Sequence, residues 1–145
     1  MIKPMKKIII AIMMITTILS AGCANSQYAQ VPTAERAAVV KINAAEAKAR
    51  LDQEGAKIIL VDVRTPSEYN EAHIEKAISL PVNTIGKNAS VVIPDREAVY
   101  FVYCRTGSRS AAASAQLVEM GYRNIYDLGG IKDWPYGTVS GLNVN

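Results

Sequence analysis

The residues best equipped for chemistry are six in a row: Cys104, Arg105, Thr106, Gly107, Ser108 and Arg109. The run begins on a thiol and ends on a guanidinium. Before it, Ala98 to Tyr103 (Ala-Val-Tyr-Phe-Val-Tyr) is β-branched and aromatic, the composition of a buried strand. After it, Ser110 to Met120 is Ala-rich with Leu117, Val118 and Met120, and Gly121 follows as a helix C-terminal signal. The run therefore reads as a six-residue loop between a strand and a helix. A thiol there faces the positive end of a helix dipole and a set of unpaired N–H groups. Arg105 and Arg109 add positive charge, and all of these favour the thiolate. Gly107 permits a tight backbone that turns N–H groups inward. The result is a nucleophile beside a cradle for the anion it attacks.

The rest of the chain must position that loop. Val39 to Ile42 reads as a short strand, and Asn43 with Glu46 as the cap of a helix over 44–53, closed near Gly55. Lys57 to Val63 is nearly all apolar, as a strand covered on both faces should be. Thr65, Pro66 and Glu68 make a helix start, with the short helix ending near His73. Ala77 to Leu80 is a further strand, stopped by Pro81. Between Val82 and Glu97 the pattern predicts no more than a helical turn over 84–88 and a turn at Pro94-Asp95-Arg96. Asn124 to Leu128 is the last strand, followed by a Gly129-Gly130 loop and a brief helix over 131–134. Strands alternating with helices predict an α/β fold, with a mostly parallel sheet of about five strands flanked by helices on both faces. Sites then fall at the carboxyl ends of strands, where Asp62, Arg64 and Cys104 all lie.

Three segments carry a family resemblance. The loop Cys104 to Arg109 resembles the active-site loop of rhodanese-type sulfurtransferases. Leu60-Val61-Asp62-Val63-Arg64-Thr65-Pro66-Ser67-Glu68-Tyr69, with His73-Ile74 and Ala77 after it, resembles that family's N-terminal signature. Asp127-Leu128-Gly129-Gly130-Ile131-Lys132-Asp133-Trp134 resembles its C-terminal signature. The resemblance implies a rhodanese-like fold and a thiosulfate:cyanide sulfurtransferase type of reaction. Cys104 would take sulfane sulfur from a small anionic donor such as thiosulfate, hold it as a persulfide, and pass it to cyanide, a thiol or an acceptor protein. It also implies that Arg109 is held inward by Asp62, with Thr106 and Ser108 donating hydroxyl hydrogen bonds to the bound anion. Arg105, at the start of the loop, is expected to be exposed, either guiding an anionic donor or standing as a simple solvated charge. Arg64 belongs either to the rim of the site or to a structural salt bridge. His73, the only histidine, falls at a structural position, and Trp134 and the seven tyrosines at packing positions. One histidine and one free thiol supply no metal set, and no cofactor is expected.

The 145 residues suffice for one domain. Lys3, Lys6 and Lys7 precede an uncharged apolar run of twelve residues from Ile8 to Leu19, too short to span a membrane and suited to a signal peptide over 1–22. Leu19-Ser20-Ala21-Gly22-Cys23 resembles a bacterial lipobox, departing from it at Ser20, and implies lipidation of Cys23 and anchoring to a bacterial membrane in the cell envelope or periplasm. Residues 23–38 read as a flexible tether and 39–145 as the rhodanese-like domain. The whole chain carries a net charge of +3, all of it from the three lysines of residues 1–22, so the remainder is neutral. A neutral domain argues against nucleic acid as partner. With Cys23 lipidated, Cys104 has no partner for a disulfide, and a monomer is expected. Three rival functions stand: a cysteine phosphatase, a non-catalytic binding module, and a persulfide carrier fed by another protein. Phosphatases of the related kind place five residues between cysteine and arginine, whereas four stand here, Arg105 to Ser108.

Overall fold

The structure, a computed structural model, describes residues 37–141. The signal segment 1–22, Cys23 and the tether as far as residue 36 lie outside the described residues. In chain order the regular elements are β1 (Val40–Lys41), α1 (Ala44–Glu54), β2 (Ile58–Asp62), α2 (Pro66–Glu71) and β3 (Ile78–Ser79). They continue as α3 (Ile85–Val92), β4 (Val99–Cys104), α4 (Ser108–Glu119) and β5 (Asn124–Gly130). The five strands form one parallel sheet in the order β1-β5-β4-β2-β3, the α/β architecture expected.

Alternation along the two central strands decides which helix covers which face. In β4, Tyr100, Val102 and Cys104 pack with Ile85 and Ala89 of α3 and with Ala113 and Leu117 of α4. Phe101 and Tyr103 point the other way, to Ala47 of α1 and Tyr69 of α2. The same parity runs through β2 and the residue after it, where Val61 and Val63 face α3 and α4 while Ile58 and Leu60 face α1 and α2. Both faces are therefore dry, which is why these strands read as continuous apolar runs and not as alternating ones. Full burial of a side chain such as Phe101 or Val102 is worth roughly 1.5–3 kcal/mol each, so the β2–β4 pair carries much of the core.

The helix starts follow their sequence signals. Asn43 and Glu46 exchange hydrogen bonds of 2.9 and 3.2 Å at the start of α1, and Thr65 and Glu68 make the equivalent box at the start of α2. Three details differ from expectation. The segment after Pro81 is a full eight-residue helix, α3, whose Ile85 and Ala89 are wholly buried against the sheet. The loop after β4 is shorter than six residues, because Cys104 still belongs to the strand and Ser108 and Arg109 already belong to α4; only Arg105, Thr106 and Gly107 lie between. Gly129 and Gly130 extend β5 instead of leaving it, across an irregularity in the β4–β5 register that skips Leu128.

Candidate active site

The site is built where β4 gives way to α4. Gly107 makes the turn with φ 104°, a left-handed conformation open to glycine, and its carbonyl accepts the Ala111 N–H at 3.0 Å to start the helix. The tight turn folds the Gly107 N–H back onto the Cys104 sulfur, at 3.1 Å from N to Sγ. Cys104 is 1 % exposed, and burial by itself pushes its thiol pKa up. The backbone N–H groups of Ser110, Gly107 and Thr106, with the Ser110 hydroxyl, outweigh burial and bring it below the ordinary thiol value. Above that lowered pKa the sulfur is an anion held by N–H groups.

The third wall of the loop is β5. A Cβ on Gly130 would lie 2.6 Å from the Arg105 carbonyl oxygen and 2.9 Å from the Thr106 Cα, so the loop packs against the bare backbone of that glycine. Arg105, Thr106 and Ser108 are exposed.

The arginines do not pair as the resemblance implied. Asp62 does not hold Arg109. Its carboxylate is taken by Arg64, through Nε at 3.0 and 3.1 Å and Nη2 at 2.6 Å, and both side chains are buried. Strand parity explains this. Asp62 follows Leu60 onto the α1–α2 face of the sheet, whereas Cys104 follows Val102 onto the α3–α4 face. Arg64 also donates to the Ala72 carbonyl, locking the end of α2, so its place is structural rather than on the rim. Arg109 instead reaches over the end of the sheet to Glu68, giving one 2.8 Å hydrogen bond from each Nη to each carboxylate oxygen. This bidentate fork, together with the Thr65 cap, holds the Glu68 carboxyl well below the usual carboxylate range. Glu68 thus serves twice, as cap partner of α2 and as seat of Arg109. The capping pattern showed the first role in the sequence; nothing local could show the second, which spans 41 residues.

Two further residues border the site unannounced. Ser110 and Asp127 are both buried, and the Ser110 hydroxyl donates to Asp127 Oδ1 at 2.6 Å. An aspartate in step with Ile125 on the inward face of an apolar strand was the available signal. His73 is fully buried, stacked on Tyr69 with ring centroids 3.8 Å apart, and its Nδ1 lies 2.8 Å from the Tyr69 carbonyl oxygen, which fits a structural position. Trp134 closes the end of the α1 side, edge-on to Tyr136.

Compared with known proteins, the chain matches the rhodanese-like domain family over residues 43–135. It is 35 % identical over 81 residues to the thiosulfate sulfurtransferase PspE of Escherichia coli K12, an alignment covering 56 % of this chain and 78 % of that one. It is 41 % identical over 78 residues to a sulfurtransferase of Allochromatium vinosum, covering 53 % and 71 %. Among solved structures it is similar to an Escherichia coli rhodanese determined with anions, at TM-score 0.55 and 33 % identity, over 58 % of this chain and 99 % of that one. A rhodanese-like domain protein from Staphylococcus aureus superposes at TM-score 0.62 with 27 % identity, over 72 % of this chain and all of that one.

Proposed function

The chain belongs to the rhodanese-like domain family as a single-domain sulfurtransferase, and on that premise we propose that sulfur passes through Cys104 as a persulfide, with thiosulfate or a similar sulfane anion as donor. The observation that carries this reading is the Cys104 sulfur at the mouth of α4, accepting the Gly107 N–H at 3.1 Å with its pKa lowered by the surrounding amides. The thiolate attacks the outer sulfur of thiosulfate; the bond from that sulfur to the sulfonate group breaks, and sulfite leaves with the electron pair. Cyanide, a thiol or an acceptor protein then attacks the outer persulfide sulfur, and the Cys104 thiolate is restored. The amides that stabilise the thiolate are placed to stabilise the persulfide anion too, because its terminal sulfur extends into the same cradle. Thr106 and Ser108 add hydroxyl donors at the exposed lip, Arg105 draws the anion in, and Arg109, kept charged by Glu68, contributes its positive field from the rim. The turn of three residues is a small ring, better matched to one sulfur atom than to a phosphoryl group.

The test is the mass of the tryptic peptide Glu97–Arg105 from the full chain, before and after thiosulfate. A gain of about 32 Da that cyanide removes, and that Cys104→Ser abolishes, is the expected result. No gain from any small donor would shift the function to a carrier loaded by a protein, or to a binding module. We further place the protein, as a monomer, in the cell envelope on a lipid carried by Cys23. Labelling with a radioactive fatty acid, lost in Cys23→Ser, tests that anchor.

A further inference from the structure

Asp127 is the one charged residue of β5, its side chain is wholly buried, and the transfer chemistry just described gives it no task. A buried carboxylate has lost its hydration and needs partners in return. Its Oδ1 accepts two hydrogen bonds, from the Ser110 hydroxyl at 2.6 Å and from the Gly129 N–H at 3.1 Å. Its Oδ2 lies 3.0 Å from the Nζ of exposed Lys41, on the edge strand β1. Oδ1 therefore joins two elements: Ser110 stands in the first turn of α4, and Gly129 in the irregular stretch of β5.

Gly107 sits between those two points. Its carbonyl oxygen lies 3.0 Å from the Ser110 Oγ, and a Cβ on Gly107 would lie 3.7 Å from the Gly129 Cα. Both glycines have left-handed backbones, φ 104° and 84°, and neither has a side chain of its own to hold it in place. The N–H of this same Gly107 points at the Cys104 sulfur, 3.1 Å from N to Sγ. A shift of Gly107 at either flank turns that N–H relative to the sulfur, and a hydrogen bond weakens steeply with angle. The other charged groups around the thiol are, among the described residues, paired or outward: Asp62 with Arg64, Glu68 with Arg109, and Arg105 and the α3 residue Lys87 at the surface.

Resting on the assignment of Cys104 as nucleophile, we propose that Asp127 is a positioning residue: its Oδ1 ties Ser110 to Gly129 and so holds the Gly107 N–H on the Cys104 sulfur. It acts through Gly107 and not on the sulfur directly. The role needs the acceptor oxygen and not the negative charge. Loss of the charge by itself would stabilise a nearby thiolate, whereas loss of the tie takes an N–H away from it, so the two effects carry opposite signs.

The experiment reads two quantities in the full chain. One is the pH midpoint of iodoacetamide alkylation, taken on the tryptic peptide 97–105 so that Cys23 does not contribute. The other is the hydrogen-exchange rate of the Gly107 amide relative to that of Phe101 in the middle of β4, measured by NMR. General loosening of the fold speeds both amides, so only a local change raises the ratio. Asp127→Leu removes the tie: the midpoint rises by about 0.5–1 pH unit and the exchange ratio by a factor of at least about 10. Asp127→Asn keeps an acceptor at Oδ1, and exposed Lys41 can turn away from the new amide. Its exchange ratio stays within about two-fold of the parent, and its midpoint matches the parent or falls by about 0.3. An Asp127→Leu midpoint that falls or stays fixed overturns the proposal, as does an exchange ratio that does not move, or a rise that Asp127→Asn shares. Should Asp127→Leu not fold, Ser110→Ala, which opens one arm of the tie, decides in its place. Both readouts then rise; an exchange ratio left unchanged makes the hydroxyl no support for Gly107 and overturns the proposal. Neither readout needs a sulfur donor, so a chain that never gains sulfur from thiosulfate would refute the transfer reading without touching this result.

Discussion

β2 and β4 are hydrogen-bonded neighbours that end at the same level of the sheet, Asp62 opposite Tyr103 and Cys104 one residue beyond. Both ends carry an ionisable group, both groups are buried, and they face opposite sides. At β2 the charge is answered at once by Arg64, two residues on in the same chain, and nothing is left for a ligand. At β4 the thiol meets the dipoles of N–H groups and of the Ser110 hydroxyl, which stabilise a negative sulfur without neutralising it. A closed ion pair makes a corner of the fold. An anion held by dipoles alone can still react.

The contrast is broken most completely by Cys104→Ser. Sulfur transfer should fall by a factor of at least about 10³, while the melting temperature barely moves because the swap conserves volume. Asp62→Ala should do the reverse. It leaves the Arg64 guanidinium buried without its partner, a loss of about 3–5 kcal/mol in denaturant unfolding. In protein that remains folded, the pH profile of Cys104 alkylation should be unchanged. A profile that moved with Asp62→Ala would mean that the two strand ends are coupled.

Gly130→Ala sharpens the comparison by disturbing the loop alone. Its Cβ would fall 2.6 Å from the Arg105 oxygen, so the loop must retreat and the cradle open. Transfer should drop roughly 10- to 100-fold, with a smaller change in stability. The smallest effect belongs to Glu68→Gln, which releases Arg109 from its fork. The thiosulfate KM should change about two- to five-fold, with the chemical step nearly intact. This variant also has a pH signature. The Glu68 carboxyl is depressed by Arg109, so its contribution to stability is fully present above the ordinary glutamate pKa of about 4.3. That contribution fades as the pH falls through the lower folded value. The difference in melting temperature between parent and Glu68→Gln should therefore hold steady from pH 7 to about pH 5 and shrink in stronger acid.

The Cys104 loop, the capping boxes and the apolar strands were legible because each is written in residues adjacent in the chain. The identity of arginine partners was not. Asp62, Arg64, Glu68 and Arg109 allow two sets of pairings, and the choice turns on which face of the sheet each strand end presents. The register from β2 into α2 settles that, and the loop residues by themselves do not. The length of α3 was hidden for a similar reason: Gly86, Lys87, Asn88 and Ser90 dilute its apolar signal, and its burial against α4 and the sheet overrides their weak propensity. Ser110 and Asp127 stood in plain view, but their contact closes only when α4 and β5 lie side by side.

The double duty of Glu68 gives the molecule a built-in reporter. The same Oε2 accepts Arg109 at 2.8 Å and the Thr65 amide at 3.0 Å. An anion that competes for the arginine fork loosens the carboxylate on which that amide leans. Occupancy at the sulfur end of the sheet should therefore be readable in the nitrogen–proton resonance of Thr65, at the cap of a different helix.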